Sequence, residues 1–261
     1  MPDVAAIPSG YLANLFLVFV RVGAMLFSAP LLSGRTVPAT LKIGLAGLLA
    51  FLLIPVNQGH FAEVPLAWVP LSLLVLKEIG VGVMVGFVAN LVFAGMQLAG
   101  QFLGIEMGFS LANVIDPLFS QSISLMDQLY TILAGLVFLA IDGHQMLILA
   151  IQQTLDMIPL GAFEMTGPVV NQLVELVGGI FLIGLRITLP VTAALLLSDI
   201  ALGLMARTVP QMNVFVVGLP VKIFVGFVIV VLTMPALGAL TGGLFRSNMM
   251  DLSNLLKLVA A

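Results

Sequence analysis

A continuous apolar stretch of nearly 40 residues, 66–103, constrains this chain more than any other feature of its sequence. As a helix it would be roughly 55 Å long, against a hydrocarbon core of about 30 Å. Further apolar runs of spanning length lie at 11–32, 169–198 and 214–240, with a short one at 41–55. Another, 129–155, is interrupted by Asp142 and His144. The runs are continuous and do not alternate apolar with polar, so they read as helices and not as barrel strands. Only nine Lys and Arg and 12 Asp and Glu occur in 261 residues, where a soluble domain of this size would carry about 65 charges. With a mean hydropathy of +1.23, the chain cannot coat itself for water. This excludes a soluble enzyme, a disordered scaffold and a nucleic-acid binder, which would need a basic surface. The expected fold class is all-α: an integral membrane or membrane-assembled set of helical hairpins.

The absence of cysteine rules out disulfides and thiolate sites. No Lys or Arg occurs in the first ten residues, so no cleavable signal is expected and the first run reads as the first mature helix. Breaks fall at Ser33–Pro38, after Pro55, at 161–168 and at Arg207–Pro210. The segment 104–127 differs from these by its length, with Asn113, Asp116-Pro117 and several serines. Loops that long inside a compact structure are usually functional or disordered. The positive-inside rule conflicts with simple alternation: Arg35 and Lys42 place the first link in the cytoplasm, yet 104–127 then falls on the same side with no basic residue. Either the third run reverses near Lys77-Glu78, or some helices do not cross the bilayer. Gly-x-x-x-Gly pairs at Gly82/Gly86 and Gly238/Gly242 are near chance frequency, whereas Gly100-Gly104-Gly108 would form a face for close helix contact if the helix reaches Gly108.

No P-loop and no His-Glu-x-x-His occurs, and Gly108-Phe109-Ser110-Leu111-Ala112 lacks the strand–turn–helix context of a nucleophile elbow. No catalytic residue, metal site or cofactor is expected. The charges inside apolar runs carry more information, because a central charge costs about 2.5–3.5 kcal/mol on an insertion scale. Arg21 and Arg186 read as ion pairs or carbonyl clamps between packed helices, or alternatively as proton- or substrate-handling groups. Lys77 and Glu78 point about 100° apart on a helix, so each should meet a different neighbour. Asp142-Gly143-His144 reads as a polar helix end or a proton relay, and Arg207 joins the candidate buried or assembly charges.

These residues resemble a known family: the FliR-type subunit of the flagellar type III export gate, whose virulence counterpart is the SctT-type subunit. The resemblance is carried by Arg21-Val22-Gly23-Ala24 with Ala29-Pro30, Val37 through Leu45, Lys77 through Gly82, Gly104 through Ser110 with Asp116-Pro117, Asp142-Gly143-His144, and Pro210 through Phe215. It implies a non-enzymatic subunit, in single copy, of a hetero-oligomer with FliP-type and FliQ-type subunits and FlhB. It implies passage of unfolded flagellar proteins across the bacterial inner membrane, within the flagellar basal body. It also implies a FliP-like part over 1–167 and a FliQ-like hairpin over 168–261. The family's plug maps onto 106–122: Glu106, Met107, Gly108, Phe109, Ser110, Leu111, Asn113, Asp116 and Pro117, with Met107, Phe109 and Leu111 as seal residues. The alternative is a polytopic solute transporter with Arg21, Arg186 and Asp142 around a midplane site.

Overall fold

The computed structural model describes residues 9–34, 37–55, 67–109, 125–209, 211 and 213–260. Every regular element among them is a helix: α1 (Ser9–Ser28), α2 (Ala39–Leu53), α3 (Trp68–Glu106), α4 (Leu125–Ala140), α5 (Gly143–Met157), α6 (Gly167–Thr208) and α7 (Val214–Ala260). Prolines mark the starts. Pro38 is the N-cap residue of α2, and Pro70 and Pro168 sit in the first turns of α3 and α6, where a missing N–H breaks no helical bond. Pro190, Pro220 and Pro235 lie inside α6 and α7. Membrane helices tolerate this when neighbours satisfy the freed carbonyls.

Among the described residues four helices are long and apolar enough to cross a membrane, α1, α3, α6 and α7, and a fifth span results if α4 and α5 count together as one. The third run is one unbroken helix of 39 residues, so the reversal considered near Lys77-Glu78 does not occur. The apolar runs under-read the last two helices, which continue to Thr208 and Ala260 and reach 42 and 47 residues. Their tails are polar enough to end a hydropathy run, but neither holds a proline that would end a helix. The interrupted run is two helices, α4 and α5, separated by a break where Asp142 takes a left-handed conformation with φ +57°.

The chain divides into two compact units. The first comprises Met1–Leu91, Asp142–Leu176 and Phe245–Ala261. Its core is built from Leu17, Val22 and Met25 of α1, Ala46 and Ala50 of α2, Val81, Val85 and Val88 of α3, Ile151 of α5 and Leu255 of α7, all buried. Here α3 lies directly on α1. A Cβ at Gly82 would overlap the Arg21 carbonyl oxygen, and one at Gly86 would overlap the Ser28 hydroxyl. The Gly82/Gly86 pair therefore makes a close helix crossing although its motif alone was at chance frequency. Asn248 of α7 donates its Nδ2 to the Val88 carbonyl at 2.6 Å.

The second unit comprises Val92–Ile141 and Val177–Leu244. Its core takes Met96, Ala99 and Leu103 from α3, Met126, Tyr130 and Phe138 from α4, Ile187 and Val191 from α6, and Val230 and Leu237 from α7. Phe93 meets Phe138 edge-on with centroids 5.7 Å apart, a favoured aromatic geometry. A Cβ at Gly100 would lie 2.5 Å from the Cα of Asp127, so α3 and α4 approach backbone to backbone there.

Candidate functional site

Two arrangements stand out, one in each unit. In the first unit Arg21 and Glu78 are fully buried. Arg21 Nε donates to Glu78 Oε2 at 2.5 Å. Its Nη1 donates to the Thr154 carbonyl at 2.9 Å, the Ile158 carbonyl at 3.2 Å and the Thr154 hydroxyl at 3.4 Å. Thr154 and Ile158 bracket the end of α5; the Thr154 carbonyl also accepts the Ile158 N–H at 2.9 Å in the closing bond of the helix, and this end carries the negative pole of the helix dipole. The guanidinium thus caps α5 from a different helix. Glu78 completes the clamp by accepting the Gly161 N–H at its Oε1, 2.7 Å away. Gly161 can present that N–H because it turns the chain at φ +79°, a conformation that a side chain disfavours, with Leu74 occupying the space a Cβ would need. One buried salt bridge therefore joins α1, α3, the end of α5 and the turn after it.

In the second unit the exit from α3 is built with care. Gly108 sits at φ +87° just past the helix end. Its N–H donates to the Ile105 carbonyl at 3.1 Å, and the Phe109 N–H reaches back to the Gly104 carbonyl at 2.9 Å. This pair of bonds is the Schellman stop, which glycine at that position favours. Gly108 therefore ends the helix, and the three-glycine face shrinks to the pair Gly100 and Gly104. The exit is then pinned on both remaining long helices. Glu106 accepts the Thr192 hydroxyl of α6 at 2.7 Å. Met107 is fully buried against Gly226 of α7, where a Cβ would meet its thioether at 2.9 Å. Phe109 packs edge-on to Phe227 with centroids 6.2 Å apart.

Among the plug candidates, Glu106, Met107, Gly108 and Phe109 are thus placed, whereas Ser110, Leu111, Asn113, Asp116 and Pro117 lie outside the described residues. Among the candidate buried charges, only Arg21 and Glu78 are buried. Lys77 is half-buried, while Asp142, Arg186 and Arg207 are exposed on this chain; Arg186 and Arg207 point away from the buried side of α6. Asp142 caps no N–H of α5, and its carboxylate accepts Gln145 Nε2 at 3.2 Å. The transporter alternative needs an accessible Arg21, yet that side chain is enclosed by Glu78 and main-chain carbonyls.

The sequence reading missed Thr154, Ile158 and Gly161, whose roles are main-chain or turn roles that residue type does not announce. It also missed Thr192, Gly226 and Phe227, which act as docking points. Lys222 and Asp199 pair at 2.6 Å between α7 and α6, and these could have been found: Lys222 is a charge inside an apolar run, the same signal that singled out Arg21.

Comparison with known proteins places this geometry in a family context. Residues 12–248 match the family described as bacterial export proteins, family 1. The flagellar biosynthetic protein FliR of Bacillus subtilis is 36% identical over 247 residues, covering 93% of this chain and 94% of that protein. Its counterpart in Escherichia coli is 32% identical over 230 residues, 88% of this chain and 87% of that protein. The one from Pectobacterium carotovorum is 31% identical over 245 residues, 93% and 92% of the two chains.

Proposed function

The chain belongs to family 1 of the bacterial export proteins, and from that premise we propose that it is a subunit of the flagellar type III protein export gate. In this reading it forms part of the channel that passes unfolded flagellar proteins across the bacterial inner membrane, at the flagellar basal body. It works with other export-apparatus proteins: FliP-type and FliQ-type subunits and FlhB, itself in single copy. The observation that carries the reading is the uncovered surface of α6 and α7. Phe181, Leu189, Leu197, Phe224, Val231 and Leu232 are each more than half exposed, on helices of 42 and 47 residues. Such helices are about 63 and 70 Å long, twice the ~30 Å that lipid can cover. Neighbouring chains must cover the rest, as in a wall of packed hairpins. The FliQ-like hairpin proposed over 168–261 consists of these two helices.

We place the plug at 106–122. Its entry is held by Thr192, Gly226 and Phe227, the kind of rigid root that a closure element needs. Deletion of the whole coding sequence should abolish swimming and the appearance of flagellar proteins outside the cell; a motile deletion strain would sink the gate reading. Deletion of residues 110–117 alone should leave the gate assembled while raising the small-ion permeability of the cell and slowing growth. An assembled deletion gate with unchanged conductance would return this segment to an ordinary loop.

A further inference from the structure

Beyond its packed side, α3 presents a second apolar face that stays partly exposed along its length. Val69, Leu73, Leu76, Ile79, Val83 and Phe87 are 38–72% exposed and follow one another at three- or four-residue spacing, so they form one stripe along the helix. Ile79 and Val83 also line an apolar groove of about 570 Å³, together with Phe19 and Phe27 of α1 and Ile43 of α2. Lys77 flanks the stripe, one helical turn after Leu73. It is half-buried, and neither ion pair among the described residues includes it. Its neighbour Glu78 cannot serve, because both carboxylate oxygens are engaged by Arg21 and Gly161.

We propose that this face of α3 receives an apolar helix of another export-gate subunit, and that a carboxylate near the middle of that helix pairs with Lys77. Lipid is a poor occupant. Lys77 lies about 12 Å along the helix from Val69 and about 15 Å from Phe87, near the middle of the stripe. A lysine there is too deep for its four-carbon stem to bring the ammonium to a headgroup. A second copy of this chain is poor as well, since a two-fold contact on this face would bring two Lys77 side chains together. An acidic apolar helix answers both difficulties, and the groove beside Ile79 and Val83 offers holes for its aliphatic side chains. The inference rests on the export-gate reading and names the chemistry of its partner.

The test is made in the complete gate. Lys77→Glu should lower recovery of partner subunits with the tagged chain by about tenfold or more, as expected when a like-charge contact replaces a buried pair. Selection for restored motility should return changes of an Asp or Glu to Lys, Gln or Asn in an apolar helix of a partner. Because Lys77→Glu adjoins the Arg21–Glu78 clamp, a second variant, Leu73→Cys with Lys77 intact, should form a disulfide under mild oxidation with a cysteine introduced into that same partner helix. Normal assembly and export by K77E would overturn the inference. So would suppressors confined to this chain, or a Leu73→Cys variant that cross-links to no partner. If the whole-chain deletion is non-motile while K77E assembles normally, the partner assignment fails and the export reading stands.

Discussion

At the residue scale the structure turns on the Arg21–Glu78 pair. Two opposite charges withdrawn from solvent are weak evidence for stability, since desolvation offsets much of their attraction; breaking such a pair, however, costs about 3–5 kcal/mol because one charge is left alone. The arrangement limits that desolvation cost with four further bonds, to the Thr154 hydroxyl, the Thr154 and Ile158 carbonyls and the Gly161 N–H. Glu78→Gln should accordingly lower the dissociation temperature of the purified complex far more than the joint replacement Arg21→Met with Glu78→Leu. A double variant no more stable than Glu78→Gln would mean that the carbonyl clamp, and not the charge pair, holds these helices. That Arg21 and Glu78 were unusual was legible from their apolar surroundings alone. That they belong to each other was not, because a separation of 57 positions leaves no local spacing to read.

At the element scale the helices are set by signals of different reach. Prolines in the first turns of α3 and α6 and glycine after α3 are local chemistry, visible in the sequence. The end of α3 depends on φ at Gly108, where a side chain pays about 1 kcal/mol or more. Gly108→Ala should therefore loosen the Schellman turn and the pinning of Phe109 on Phe227, seen as faster amide exchange at Gly108 and Phe109 in the assembled gate. Unchanged exchange would show that the tertiary contacts of Glu106 and Met107 suffice without the turn. The lengths of α6 and α7 were less legible, since a hydropathy run stops at the first polar stretch while a helix continues until something breaks its hydrogen bonds. The break between α4 and α5 was signalled by the polar Asp142-Gly143-His144, though the left-handed turn at Asp142 was not.

At the scale of the whole molecule, the proposed assembly has neighbouring chains cover the exposed apolar surface of α6 and α7. Expressed without its partners the chain should be degraded or aggregate, and co-expression with FliP-type and FliQ-type subunits should restore a discrete species on size-exclusion chromatography in mild detergent. A monodisperse, stable monomer would contradict this. The sequence by itself determined the solvent and the class of element: too few charges to face water, apolar runs too continuous for strands, and one run too long for a single membrane crossing. These follow from composition and periodicity, which are summed over many residues and survive any particular packing. Only the tertiary structure decided that Arg21 closes the end of α5, that Gly82 and Gly86 bring α3 onto α1, that Thr192 and Phe227 root the exit from α3, and that Arg186 stays exposed while Lys77 is partly buried. Each of these depends on which distant surface arrives beside a residue, and that is set by the packing of whole helices and not by any neighbour along the chain.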